Sequence, residues 1–95
     1  MPLYTMLSRL THEGRKTIKR HPERITEVDA EMAKMGVKVL AQYALLGPYD
    51  FLSILEAPNN QAIAKVSIEF GSRGTVEIKT LPVIPVDEFI EKIEA

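Results

Sequence analysis

Tyr49 and Asp50 stand side by side after Gly47-Pro48, and the chain carries two histidines, His12 and His21. A carboxylate next to a phenol suits general-base work or the anchoring of a ligand at a pocket edge. His12 or His21 would join that chemistry only if the fold brings one of them beside Asp50. The candidate catalytic residues are therefore Asp50, Tyr49 and His12. The plainer reading of Gly47-Pro48-Tyr49-Asp50 is a turn. Glycine supplies an unusual φ, proline fixes its own, and an aspartate carboxylate accepts backbone N–H bonds.

A metal site needs three or four converging ligands at helpful spacing. The two histidines do not have it, and there is no cysteine. No metal and no cofactor are expected. The missing cysteine also excludes disulfides, Fe–S clusters and thiol nucleophiles. Arg9, Arg15, Lys16, Lys19, Arg20 and Arg24 form a basic cluster relieved by Glu13 and Glu23. It lacks the interleaved aromatics that stack bases, so it reads as a solvated helical face. Its expected partners are acids such as Asp87, Glu88, Glu91 and Glu94, within the chain or across a subunit boundary. Gly71-Ser72-Arg73-Gly74 lacks the lysine–serine pair of a P-loop and follows a helical pattern, so it reads as a helix-ending loop.

Four polar residues interrupt otherwise apolar strand patterns: Gln42, Ser53, Glu77 and Lys79. A mostly apolar cavity with a few convergent polar groups is how small-molecule sites are built. Gln42, Ser53 and Glu77 are accordingly the candidate ligand-binding residues. The alternative is that they sit at strand ends or edges, in solvent.

The elements that must position these residues follow from periodicity. Leu3 to Leu10 alternates with apolar residues on both faces, which predicts a central strand. Thr11 is a plausible N-cap for a helix through about Lys19, with Gly14 weakening it. His21-Pro22 interrupts that pattern, and a second helical segment is expected from Pro22 to Met35. Ile25, Val28, Met32 and Met35 form its apolar stripe, the two methionines read as packing, and Gly36 suits its end. Strand two is expected over Val37–Leu46. Val37, Val39, Ala41, Tyr43 and Leu45 alternate there with Lys38, Leu40, Gln42, Ala44 and Leu46. Strand three is Phe51–Ala57. A helix capped by Asn59 or Asn60 runs to about Gly71, and strand four is Thr75–Leu81. Pro82 and Pro85 break the chain before a short helix over Val86–Ile93.

This order predicts an α+β fold: the ferredoxin-like split β-α-β arrangement, with a four-stranded antiparallel sheet and helices on one face. It spans residues 1–95 as a single domain. The other sheet face is too apolar to stand in water, so a second copy packing sheet against sheet, a dimeric α+β barrel, is the simplest cover.

Gly47-Pro48-Tyr49-Asp50 resembles the Gly-x-Tyr-Asp signature of the GYD-domain family, carried by Gly47, Tyr49 and Asp50. Leu10-Thr11-His12-Glu13-Gly14 is similar to that family's opening to its first helix, and His21-Pro22-Glu23-Arg24 to its next helix start. Ile54-Leu55-Glu56-Ala57-Pro58 is similar to its strand ending in Glu-Ala-Pro. Phe70-Gly71-Ser72-Arg73-Gly74-Thr75-Val76 resembles its Gly-x-x-Gly approach to the last strand, and Thr80-Leu81 with Val86-Asp87-Glu88-Phe89 closes the likeness. The resemblance implies a small ferredoxin-like relative of the dimeric α+β barrels. Those include cofactor-free monooxygenases, isomerases and ligand-sensing domains, so fold alone does not assign a function.

With 95 residues, 45% of them hydrophobic, 26% charged, and a net charge of −1, the chain has the composition of a soluble globular domain with no pull toward nucleic acid or anionic membrane. It has neither a signal-peptide pattern nor an apolar run near the roughly 20 residues of a membrane span. The expected location is cytoplasmic. The leading functional expectation is a homodimer or higher oligomer that binds a small molecule at or near the sheet–sheet interface. The alternatives are a cofactor-free enzyme acting on a small carbonyl or aromatic compound, and an assembly protein with no ligand.

Overall fold

The computed structural model describes residues 1–94. β1 is Leu3–Leu10, α1 His12–Arg20, α2 Arg24–Lys34 and β2 Lys38–Ala44. β3 is Phe51–Glu56, α3 Asn60–Gly71, β4 Val76–Val83 and α4 Val86–Glu94. The strands form one antiparallel sheet in the order β2-β3-β1-β4, the ferredoxin-like arrangement expected from the sequence.

The helix boundaries have local causes. Thr11 has extended backbone and its Oγ1 accepts the Gly14 N–H at 3.1 Å, while Asn59 Oδ1 accepts the Ala62 N–H at 2.9 Å. Each fills one of the unpaired donors of a first helical turn. Gly36, at φ +84°, ends α2. The Val37 N–H donates to the Met32 carbonyl and the Gly36 N–H to that of Ala33, a Schellman closure. The second helix starts at Arg24 rather than Pro22. Arg24 N–H donates to His21 and Ile25 N–H to Pro22, turn-type bonds that precede the first full helical bond, Glu27 to Glu23.

Three strand expectations need correction. β2 stops at Ala44, although Leu45 N–H still reaches the Asp50 carbonyl at 2.8 Å. β2 also carries a bulge between Val39 and Ala41, which reverses its alternation. Pro82 does not break the chain. β4 continues to Val83 with Pro82 opposite Tyr4, because an edge strand has no neighbour to need the missing N–H.

The helices cover one sheet face. Tyr4 and Met6 of β1 and Leu55 of β3 are buried there with Met32, Ile63, Val66 and Phe70 from the helices. This core fills the half of the sheet that holds the start of β1 and the end of β3. On the other face Leu7, Leu52 and Ile54 are only half-buried, and Tyr43 and Leu81 are exposed beside them. α4 buries none of its residues.

Candidate functional site

Asp50 and Tyr49 turn away from each other. Asp50 Oδ2 accepts the backbone N–H of Leu10 at 2.7 Å, and Asp50 N–H donates to the Ser8 carbonyl at 2.8 Å. Arg9 Nε donates to the Pro48 carbonyl at 3.1 Å. The loop is thereby fastened to the end of β1, and the carboxylate is engaged by the β1 backbone. Gly47 has φ +108°, a conformation that side chains with a Cβ rarely take. Tyr49 lies toward the open sheet face, with Lys79 Nζ 5.8 Å from its ring centre.

The histidines do not join them. His12 opens α1, exposed and without a side-chain hydrogen bond among the described residues. His21 Nδ1 lies 3.2 Å from Glu23 Oε1. Tyr49, Asp50 and His12 therefore form no hydrogen-bonded constellation in this chain, and the described residues hold no cluster of three metal-ligating side chains.

The candidate ligand residues divide between the two faces. Gln42 and Ser53 are opposite one another in the sheet and point toward the helices, not into the open face where a sheet–sheet site would lie. The β2 bulge causes this, because it sets Gln42 on the same side as Val39. Glu77 is exposed on the open side, opposite Arg9. Gln42 Nε2 donates to Asp29 Oδ1 at 3.2 Å and to Ser53 Oγ at 3.3 Å. Burial pushes the Asp29 carboxyl up from its ordinary range, and the bond from Gln42 works against that rise.

Gln42 and Ser53 sit at the floor of a cavity of about 180 Å³ between the sheet and the helices. The break at His21-Pro22 separates α1 from α2 above it. Ile18 and Ile25 hang from the two helices, and Phe51 and Ile78 rise from the sheet, none of them fully buried. At the rim, Arg24 pairs with Glu27 and Glu31 at 3.4 and 3.0 Å. Arg73 pairs with Glu31 and Glu69 at 2.7 and 3.2 Å, with its guanidinium 4.5 Å from the Phe70 ring centre. The hydrogen bond from Arg73 holds the Glu31 carboxyl below its usual range. Arg73 thus clasps α2 to the end of α3. Of the basic cluster, Lys16 meets Glu13 and Arg24 meets Glu27 and Glu31, not the C-terminal acids.

Gly14 explains the Leu-Thr-x-x-Gly segment. It is buried, and a Cβ at this position would fall 1.9 Å from the Thr75 carbonyl oxygen. Thr11 binds the same stretch, its N–H donating to Thr75 at 3.1 Å and its Oγ1 to the Gly74 carbonyl at 2.8 Å. The start of α1 and the start of β4 are joined backbone to backbone, and only glycine permits that approach.

One face of α4 is apolar and unpartnered among the described residues. Val86, Phe89, Ile90 and Ile93 of α4 follow the i, i+3, i+4, i+7 spacing of one helix face. Phe89 remains 51% and Ile93 68% exposed. Sequence periodicity marks this stripe, but not that it would lack a partner within the chain. No helix of the described residues is long and apolar enough to cross a membrane.

Comparison with known proteins places these features. The chain is 43% identical, over 99% of its length and 100% of the relative's, to the glutamine synthetase and cystathionine beta-lyase binding protein of Thermus thermophilus. Two crystal structures share the fold at 17% identity. MtbAldR matches with a TM-score of 0.66 over 88% of this chain, which spans only 52% of the MtbAldR chain. TTHA0845, also from Thermus thermophilus, matches with a TM-score of 0.57 over 90% of this chain and 95% of its own. Residues 4–93, with the Gly47-Pro48-Tyr49-Asp50 loop at their centre, match the GYD domain, and this chain belongs to the GYD domain family.

Proposed function

We propose that this chain is a protein-binding module that docks on larger metabolic enzymes. The observation that carries the reading is α4, an amphipathic helix with a four-residue apolar stripe and no buried side chain. Isolated exposed apolar residues are ordinary, whereas a continuous stripe marks a contact surface. Its spacing is that of a helix laid into a partner's groove, a recurrent mode of protein recognition. The Thermus thermophilus relative, similar along its whole length, is a binding protein for two enzymes. That likeness makes glutamine synthetase and cystathionine beta-lyase the first partners to test, and such partners imply a cytoplasmic setting.

The open sheet face has a different occupant in this reading, a second copy of the chain. Leu7, Leu52 and Ile54 form a flat apolar centre, with Tyr43 and Leu81 at its sides. Two such faces stack at the usual distance of about 10 Å and bury each other. The homodimer then presents two α4 helices to its partner enzyme.

An enzymatic reading has less to stand on, because the Asp50 carboxylate accepts the backbone N–H of Leu10 and Tyr49 faces Lys79. A ligand between the sheets loses Gln42 and Ser53, which face the helices. Size-exclusion chromatography of the chain mixed with each purified enzyme tests the reading. Co-elution with either enzyme supports it. Separate elution from both, at concentrations well above the micromolar range typical of transient contacts, overturns it.

A further inference from the structure

The half of the helix-facing sheet beneath the α1–α2 break is not filled by the core. Ile18, Ile25, Val28, Phe51 and Ile78 face this space half-buried, although nothing polar compels their exposure. The space, about 180 Å³, is comparable to the roughly 150 Å³ apolar cavity that holds a benzene. Unlike that cavity it has a polar floor, formed by Gln42 and Ser53. Ser53 is 3% exposed, and its Oγ accepts Gln42 Nε2. A serine hydroxyl also donates, and that proton has no acceptor among the described residues. A buried donor of this kind is normally paired.

The rim restricts the ligand's charge. Arg24 and Arg73 stand at the mouth, but each is spent on carboxylates of Glu27, Glu31 or Glu69. An anionic ligand would have to displace those pairs, and a cationic one would meet the arginines. From this geometry we infer that the cavity between the sheet and the α1–α2 break is a binding site for a compact neutral molecule. The molecule is of single-ring size, apolar over most of its surface, and carries one acceptor oxygen, such as a cyclic ketone. Its apolar body fills the space between Ile18, Ile25, Phe51 and Ile78, and its oxygen takes the Ser53 hydroxyl proton. The site is separate from α4 and from the open sheet face, so it stands independently of the protein-binding reading.

The test is a titration of the full chain with cyclohexanone, followed by ¹H–¹³C spectra of the isoleucine, leucine and methionine methyls. Methylcyclohexane, which lacks the acceptor, and cyclohexanecarboxylate, which is charged, serve as comparison probes. Saturable shifts are expected at Met6, Met32, Ile18, Ile25 and Ile78, with Leu52 and Ile54 of the open face unmoved. Cyclohexanone should bind more tightly than either comparison probe. Ser53→Ala should weaken cyclohexanone about tenfold, the loss of one buried hydrogen bond, and leave methylcyclohexane unchanged. Val28→Phe, which fills the space, should abolish the shifts while the spectrum stays dispersed. Absence of saturable shifts, shifts at Leu52 and Ile54 instead, or tightest binding of the carboxylate overturns the site. Equal binding of cyclohexanone to the Ser53→Ala chain overturns the role of the hydroxyl.

Discussion

The backbone N–H of Leu10 donates to Asp50 Oδ2 at 2.7 Å across 40 positions of sequence. Together with Arg9 on the Pro48 carbonyl, it ties the β2–β3 loop to the end of β1. The acidic residue of the family signature is thus a structural clamp. Asp50→Ala leaves a partly buried donor unpaired and should cost about 1–3 kcal/mol of stability. Asp50→Asn keeps an acceptor and should cost less. Urea unfolding of both variants checks the order; equal stability of Asp50→Ala and the parent chain would show that the clamp is unimportant.

Gly14 touches the carbonyl of Thr75 so closely that no side chain fits. Judged as a helix residue alone, Gly14→Ala would stabilise α1 by about 1 kcal/mol. The packing clash runs the other way and costs about 1–3 kcal/mol or more. The expected net result is a lower melting temperature, by roughly 4–8 °C for each kcal/mol lost in a domain of this size. A rise in melting temperature would mean that α1 and β4 separate at little cost.

Asp29 gives a pH signature. Its folded pKa is raised, chiefly by burial, so the folded state disfavours the charged form. The penalty is absent below the ordinary carboxylate value of 3.8, grows as the pH rises through the folded value, and is complete above it. Asp29→Asn retains an acceptor for Gln42 and carries no charge. It should be more stable than the parent chain at neutral pH, with the difference vanishing in acid. Thermal melts across the acidic range check the sign, and a variant less stable at neutral pH would reverse it.

Much of the fold was legible because its signals are local. Leu3–Leu10 alternates, Thr11 and Asn59 cap, Gly36 closes α2, and Gly47 takes the positive φ its turn needs. The candidate site was legible only in part. Gln42 and Ser53 do come together, but simple alternation from Val37 cannot report a bulge, and the bulge decides which face Gln42 takes. The Arg73–Glu31 pair spans 42 positions and has no local signature. Gly14 looked like a flaw in a helix because Thr75, its reason, lies on a distant strand.

The open sheet face yields a prediction about assembly. Leu52→Lys places a charge at the centre of the face without entering the helix-side core. Light scattering after size exclusion should give twice the chain mass for the parent and the chain mass for the variant. A parent chain that is monomeric at high concentration contradicts the sheet-to-sheet pairing.

In the proposed function α4 is the surface that holds a partner enzyme. The direct measurement is the affinity of the chain for immobilised glutamine synthetase or cystathionine beta-lyase, compared with that of a Phe89→Asp, Ile90→Asp variant. Neither residue belongs to the core, so the variant should keep its fold and melting temperature. The parent chain should bind at least one enzyme saturably, and the variant should lose at least about a hundredfold in affinity, the effect of removing two apolar anchors. Undiminished binding of the variant, or no binding of the parent chain to either enzyme, would contradict it.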